Sequence, residues 1–205
     1  VNDEQKQQRR KLDEHLGDVD GVTWTKPDLG IVDYHGSTAN NLVGIPYLEG
    51  NVYRDPRGAP GREYVYVTNV EAEGVVRYFS SDGLHWNRDE KPLLRFRPDT
   101  QNIIFWDERL QKYVLYLRAW DVSTDWNARL RKVVRLELDD LTKPTDIVTS
   151  GKGVNPTRKN DLPRLADELP TVLRADEHDP PNTDVYNISA EPYPLDPRWY
   201  VGFPS

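Results

Sequence analysis

Two aspartates, each followed three residues later by an asparagine, are the positions in this sequence best suited to chemistry. Asp99 precedes Asn102, and Asp184 precedes Asn187. Two carboxyl groups across a polar opening can cleave a glycosidic bond, because one protonates the leaving oxygen while the other stabilises or attacks the oxocarbenium-like centre. The asparagine amides can donate hydrogen bonds to a carboxylate or a sugar hydroxyl. Alternatively, these pairs only cap loops and tie neighbouring repeats together.

A repeated unit of about sixty residues determines where these pairs lie. Residues 81–118 contain a turn, a strand preceded by an acid, a hairpin and a second strand. Residues 20–24 (Asp-Gly-Val-Thr-Trp) resemble residues 82–86, and residues 40–43 correspond to residues 101–104. A repeat of this length in an all-strand pattern is typical of β-propeller blades. The first strand of each blade lines the central channel of a propeller, so acids at equivalent strand starts converge on one point.

The length of the chain predicts an incomplete propeller. Its 205 residues encode about three to three and a half blades, whereas closed propellers need at least about four. There is no methionine, so we expect that Val1 is not a translation start and that the chain is an excerpt. Residues 1–19 are predicted to form a tail or short helix, and residues 20–205 the partial propeller. Within it, residues 139–183 are predicted to be a long polar inter-strand loop, with a short helix near residues 162–169.

Composition excludes several classes of partner and cofactor. A net charge of -7 and a pI of about 5.2 argue against nucleic acid and anionic membranes. No run of eighteen apolar residues could span a bilayer, so we expect no membrane partner. The absence of cysteine excludes disulfides and thiolate catalysis but assigns no compartment. We expect no cofactor and no metal, because four histidines lie in separate turns and loops, at His15, His35, His85 and His178.

A series of short motifs resembles the five-bladed propeller glycosidases, chiefly the N-terminal domain of glycoside hydrolase family 32 and, less closely, family 43. The series is Asp-Gly-x-x-Trp at residues 82–86, Phe-Trp after an acid at residues 105–106, and Lys-Tyr-Val at residues 112–114. Family 32 carries an Arg-Asp-Pro triplet before its aromatic strand, and residues 97–99 read Arg-Pro-Asp. The resemblance covers residues 20–205. It implies an incomplete five-bladed β-propeller of four-stranded antiparallel blades that acts on carbohydrate.

The same resemblance implies catalytic roles. Asp99 would be the transition-state stabiliser, and Asp184 would hold the acid/base position, where the family normally has glutamate. Glu191 is the right residue type, but it lies at the far end of the same strand. The preceding blade should supply the nucleophile, yet residues 40–41 are both asparagine. Either the nucleophile lies outside this chain, or the reaction differs, or catalysis is lost and the propeller only binds glycan or protein.

Other polar residues are candidates for contacting the carbohydrate. The asparagines at equivalent strand starts are expected to bind hydroxyl groups, and an aromatic ring suits a sugar surface. The predicted substrate-binding residues are Asn41, Asn102, Asn187, Tyr186, Arg118 and His35.

Arg-Asp-Pro occurs literally at residues 54–56, but the repeat aligns Asp55 with Asp107, in the hairpin after a first strand. We therefore predict that Asp55 has a role in a turn and not in the site.

Overall fold

The computed structural model describes residues 22–45, 50–70, 73–95, 98–99, 101–120, 130–145 and 169–205. The described part is all-β, as predicted, and contains no helix that could cross a membrane. The predicted tail at residues 1–19 and the predicted helix, apart from Leu169, lie outside the described residues. The strands are β1 Asn51–Arg54, β2 Tyr64–Val70, β3 Gly74–Ser80, β4 Asn87–Arg88, β5 Ile103–Asp107, β6 Lys112–Trp120, β7 Arg131–Leu138, β8 Thr171–Leu173, β9 Ile188–Pro192 and β10 Tyr200–Pro204.

The chain divides into two compact units. The first consists of Val1–Pro46 with Leu84–Trp86. Its described part holds a tight turn in which Tyr34 and Ser37 exchange backbone hydrogen bonds of 2.9 and 3.2 Å. His35 and Gly36 have φ values of 53° and 82°, as a two-residue turn of this kind requires. Residues 22–24 and 42–43 form no strand, because such short apolar stretches do not specify a strand by themselves.

The second unit, Tyr47–Gly83 with Asn87–Ser205, contains three antiparallel sheets. The first has the order β1-β2-β3-β4, the second has the order β5-β6-β7-β8, and the third is the β9–β10 hairpin. Strand β8 lies inside the predicted long loop at residues 139–183 and pairs with β7 next to a bulge at Val133/Val134. Each four-stranded sheet follows chain order, as in a meander.

Alternation along the strands of the second sheet explains how the sheets pack. Successive side chains of a strand point to opposite faces. Ile104 and Trp106 belong to the core shared with β2 and β3, whereas Ile103 and Phe105 belong to the core shared with β9 and β10. The second sheet is therefore covered on both faces by its neighbours in chain order. This arrangement is compatible with consecutive propeller blades, although the described residues do not show a closed propeller.

Candidate functional site

The segment before β5 is held by two buried side chains. Asp99 has a φ of 69°, in the left-handed region that few residues other than glycine adopt, aspartate being among the more frequent of them. Arg118, on β6, pairs with the Asp99 carboxylate, and its Nε donates a hydrogen bond of 3.2 Å to the Pro98 carbonyl. Asn102 Nδ2 donates to the Asp99 carbonyl at 3.3 Å. Three of the residues predicted from sequence, Asp99, Asn102 and Arg118, are thus brought together.

A second acid lies before β9 and is anchored in a similar way. The Asp184 carboxylate pairs with the Arg131 guanidinium and also accepts a hydrogen bond from the Arg131 backbone N–H. Arg131 is the first residue of β7, so this pair joins the second sheet to the segment leading into the third. The side chain of Asp184 is 27% exposed and that of Arg131 is 36% exposed. Solvent therefore reaches both partners.

The two acid–arginine pairs meet at one aromatic ring. The guanidinium carbon of Arg118 lies 4.7 Å from the centroid of the Tyr186 ring, and that of Arg131 lies 4.9 Å from it. Both distances are within the range of cation–π attraction. Tyr186 is 44% exposed. We call Asp99, Arg118, Arg131, Asp184 and Tyr186 the acid–arginine cluster.

Two buried polar atoms beside Asp99 have no hydrogen-bond partner in the described part of the chain. They are Nη1 of Arg118, a residue 2% exposed, and Oδ1 of Asn102, a residue 0% exposed. A buried polar group left unsatisfied costs about 1–3 kcal/mol.

A cleft of about 270 Å³ lies between the sheets, and no residue of the acid–arginine cluster lines it. The second strand of each sheet begins at or next to a tyrosine, and the sheets can be aligned on these residues, Tyr64, Tyr113 and Tyr200. In that alignment the strand registers make three residues of the first strands equivalent: Asn51, Ile103 and Ser189. These residues and the two that follow each of them line the cleft, together with Pro192, Val201 and Phe203. The first strands of all three sheets therefore face one space, as the inner strands of propeller blades do.

Glu191 lies on the wall of this cleft and not in the acid–arginine cluster. It pairs with Val201 in the strand register, and the equivalent positions in the other two sheets are Tyr53 and Phe105. Within the described residues its carboxylate makes no ion pair or hydrogen bond. Among the residues that line the cleft, Glu191 is the one that carries a charge.

The remaining predicted residues have other surroundings. Asn187 ties down the segment after Phe203, since its carbonyl accepts from the Ser205 N–H at 3.1 Å and its Oδ1 accepts from Ser205 Oγ at 2.8 Å. Asn41 and His35 belong to the first unit, where the His35 ring packs edge-on against Tyr34 with centroids 4.3 Å apart.

The sequence alignment of the two aspartate–asparagine pairs is one residue out of step with the strands. Alignment on Tyr113 and Tyr200 makes Asn102 equivalent to Ile188 and Asn187 equivalent to Gln101. A shift of one residue turns a side chain to the other face of a sheet. This explains why Asn102 is buried beside Asp99 while Asn187 contacts Ser205.

Asp55 lies in the connection between β1 and β2, which confirms the predicted turn. Its carboxylate accepts hydrogen bonds from the Arg57 backbone N–H at 2.9 Å and from the Tyr113 hydroxyl at 2.8 Å. Sequence reasoning did not find Arg131, because its partner Asp184 lies 53 residues away. No local spacing signals such a pair.

No protein-family model, curated protein or solved structure matches this chain. In the described ranges, no group of three or more histidine, aspartate or glutamate residues is placed to hold a metal ion.

Proposed function

We propose that this chain is part of a five-bladed propeller of the glycosidase type and that its acid–arginine cluster binds carbohydrate. The observation that carries the proposal is the convergence of Asp99 and Asp184, through Arg118 and Arg131, on the Tyr186 ring. The resemblance of the motif series to family 32 supplies the class of ligand.

The chemistry of the cluster suits a polyhydroxyl compound. Carboxylate oxygens accept hydrogen bonds from hydroxyl groups, and guanidinium N–H groups donate to hydroxyl oxygens. The side chain of Asp99 is 49% exposed although its partner Arg118 is buried, so a ligand can reach the acid without displacing the arginine. A partly exposed tyrosine adds an apolar surface with a polar tip. An uncharged sugar also leaves the two existing ion pairs intact.

Cleavage of the glycosidic bond is the second candidate function, and it is favoured by two carboxylates whose arginine partners contact the same ring. Hydrolysis requires carboxyl groups about 5–10 Å apart, with one acting as acid and the other as nucleophile or base. Both aspartates are engaged by arginines, which favours a binding role for them. Glu191 then supplies the unpaired carboxylate of the cleft wall, and it is the residue type that family 32 uses as acid/base.

A screen against saccharides with matched variants tests both candidates. The chain is titrated with a panel of oligosaccharides and fructans by isothermal calorimetry, and release of reducing sugar is assayed in parallel. Asp99→Asn and Asp184→Asn are expected to weaken binding about tenfold or more, because each removes a charged hydrogen-bond acceptor. Asp139→Asn is the control, since Asp139 pairs with Lys112 at 2.5 Å at the opposite end of β6 from Arg118.

The outcomes separate the candidates. Binding that is lost in both cluster variants and kept in the control supports carbohydrate recognition. Sugar release that falls by orders of magnitude in Asp99→Asn or in Glu191→Gln adds hydrolysis. Binding of equal strength in all four proteins, or no binding to any saccharide, contradicts the proposal.

A further inference from the structure

The third sheet has half as many strands as the other two. It consists of β9 and β10, whereas the first and second sheets have four strands each. In those two sheets the second strand pairs on both edges, β2 with β1 and β3, and β6 with β5 and β7. Within the ranges that the structure describes, β10 pairs with β9 alone. One edge of β10 is therefore open at the position that β3 and β7 occupy in the other sheets.

The hydrogen bonds of the β9–β10 hairpin show which backbone groups face this open edge. The Trp199 carbonyl accepts from β9 at 2.8 Å, and the Ser205 N–H donates to the segment before β9 at 3.1 Å. Because bonding alternates along an antiparallel pair, the odd-numbered residues of β10 face β9. Tyr200 and Gly202 therefore direct their N–H and C=O groups outward. Pro204 has no N–H, so another strand can pair fully with Tyr200 and Gly202 only.

Strand β7 of the second sheet lies beside this open edge. The guanidinium carbon of Arg135, on β7, is 5.4 Å from the centroid of the Tyr200 ring. Alternate residues of a strand share a face, so Glu137 lies on the same face as Arg135 and forms an ion pair with it at 2.7 Å. The two side chains are 18% and 44% exposed. We call Tyr200, Gly202, Arg135 and Glu137 the open-edge surface.

The first two sheets show what this surface can accept. In the alignment on the second-strand tyrosines, Arg77 of β3 is equivalent to Arg135 of β7. Arg77 is 1% exposed, and it donates to the carbonyl of Leu141, just after β7. The third strand of the first sheet thus carries an arginine that binds the chain leaving the third strand of the second sheet. Arg135 holds the same place, next to a sheet in which no third strand is described.

We propose that the open-edge surface is a docking site for one extended segment of a partner polypeptide, which pairs antiparallel with β10 as β7 pairs with β6. Strand addition of this kind obtains affinity from main-chain hydrogen bonds and specificity from alternate side chains. The residues opposite Tyr200 and Gly202 are apolar, like Leu136 and Leu138, with which β7 packs on the first sheet. A carbonyl just beyond the end of the segment accepts a hydrogen bond from Arg135.

The composition of β10 agrees with an edge that takes a partner. Strands that stay unpaired at the edge of a sheet are commonly protected by charged side chains. Strand β10 reads Tyr-Val-Gly-Phe-Pro and has no charged residue. Its side chains Val201 and Phe203 are 36% and 73% exposed, so the open edge lies beside an apolar surface.

A peptide copy of a third strand is the probe for this site. Residues 131–141 of the chain itself contain β7 and the segment that binds Arg77. The synthetic peptide with a fluorescent label is titrated with the full chain, and fluorescence anisotropy measures its affinity. Methylation of the peptide nitrogen at the copy of Leu136 should weaken binding about tenfold or more, because that N–H faces β10. Methylation at the copy of Arg135 is the control, since that N–H faces away from β10.

Variants at the centre of the edge test the same contact from the side of the protein. Gly202→Pro removes the outward N–H, and Gly202→Ala keeps it. A Cβ at this position meets Ile188 Cδ1 at 2.9 Å in either variant, so both share the same change in packing. We expect the peptide to bind Gly202→Pro about tenfold or more weakly than Gly202→Ala. Circular dichroism verifies that each variant is folded, and the methylated peptides decide the matter on the wild type if one is not.

The length of the peptide tests the role of Arg135. A peptide of residues 131–138 lacks the carbonyl that follows the strand, so it should bind the wild type several-fold more weakly than the longer peptide. In Arg135→Gln the two peptides should bind with nearly equal affinity.

Three results would overturn the proposal. The first is an affinity for the peptide no higher than for a scrambled sequence, and the second is equal weakening by the two methylated peptides. The third is self-association: if the wild type sediments as a dimer and Gly202→Pro as a monomer, a second copy of the chain fills the edge instead. Selective loss of binding with the Leu136-methylated peptide and with Gly202→Pro supports strand addition at β10.

Discussion

The hydroxyl of Tyr113 donates a hydrogen bond of 2.8 Å to the carboxylate of Asp55. Tyr113 is on β6 and Asp55 follows β1, so this bond joins the second sheet to the first. The relationship recurs one sheet later, where the Tyr200 hydroxyl donates to Asp107. The two aspartates are 8% and 3% exposed. The repeat therefore carries a tyrosine–aspartate bond between consecutive sheets in addition to apolar packing.

Removing the first of these hydroxyls is expected to destabilise the protein measurably. Tyr113→Phe leaves a buried carboxylate with one partner fewer, and hydrogen bonds to charged groups contribute about 1.5–3 kcal/mol. We expect the free energy of unfolding in urea to fall by about that amount. Tyr64→Phe is the matched control, because Tyr64 occupies the equivalent position on β2 and its hydroxyl has no partner in the described residues. Similar losses in the two variants would contradict the assigned role of the Asp55–Tyr113 bond.

Buried tyrosines predict a loss of stability at alkaline pH. Burial raises the pKa of Tyr53 to about 12, and it also raises the pKa values of Tyr113, Tyr116 and Tyr200. Phenols in the unfolded chain ionise near pH 10, so the folded state binds more protons above that pH. The stabilisation is therefore complete below pH 10 and decreases as the pH rises toward 12.

Urea unfolding between pH 9 and 11.5 measures this dependence. The midpoint should stay constant below pH 10 and then decrease, while absorbance at 295 nm reports delayed ionisation of the folded protein. Tyr53→Phe should reduce the slope of the free energy of unfolding against pH by about 1.4 kcal/mol per pH unit, which corresponds to about one proton. A midpoint that does not change up to pH 11.5 would show that these hydroxyls ionise freely in the folded state.

The extent to which sequence predicted this structure depends on how local each signal is. The signal for strands β2 and β3 is local, because β-branched and aromatic residues fill both of them. Strand β8 was not predicted, since it has three largely exposed residues and owes its conformation to pairing with β7. Strand pairing is a property of the sheet and not of those three residues.

The candidate site shows the same distinction. The repeat placed Asp99 at the start of β5, and its partner Arg118 was also proposed from sequence. Arg131 was not found, because the ion pair with Asp184 exists only once β7 and the segment before β9 lie side by side. Repeat alignment located the second pair only to within one residue, because turn lengths differ between the sheets. A strand pattern fixes which residues are buried more reliably than it fixes which buried polar groups meet.

Asp140 is expected to remain ionised at a pH where an ordinary aspartate is already protonated. The Thr142 hydroxyl, at 2.6 Å, is the main cause that lowers its pKa to about 2, with further help from the Thr142 backbone N–H and from Lys143. Because the pKa is depressed on folding, the stabilisation is present above pH 4 and is lost as the pH falls toward 2. Thr142→Val should raise the Asp140 pKa toward its usual value, whereas Thr142→Ser, which keeps the hydroxyl, should not. Carbon NMR of the carboxyl group measures both, and equal titration of the two variants would refute the role of the hydroxyl.

The most buried ion pair of the first sheet should be far more sensitive to mutation than its exposed neighbour. Arg77 is 1% exposed and pairs with Asp89 at 2.6 Å. It also donates to the carbonyls of Lys91 and Leu141, the latter just after β7, so it connects the first two sheets. Asp89→Asn leaves a buried guanidinium without its counter-charge, and removing one partner of a buried pair costs about 3–5 kcal/mol. We expect the lower end of that range, because two carbonyls still accept hydrogen bonds from Arg77.

The control for this change lies on the adjacent strand. Glu73 pairs with Arg88, and their side chains are 41% and 35% exposed. Exposed pairs contribute about 0–1 kcal/mol, because water and salt screen the attraction. Glu73→Gln should therefore shift the urea midpoint only slightly, and 1 M salt should abolish most of that shift while leaving the effect of Asp89→Asn in place. If both variants lose the same small amount of stability, then Arg77 is reached by solvent and does not act as a charged link between the sheets.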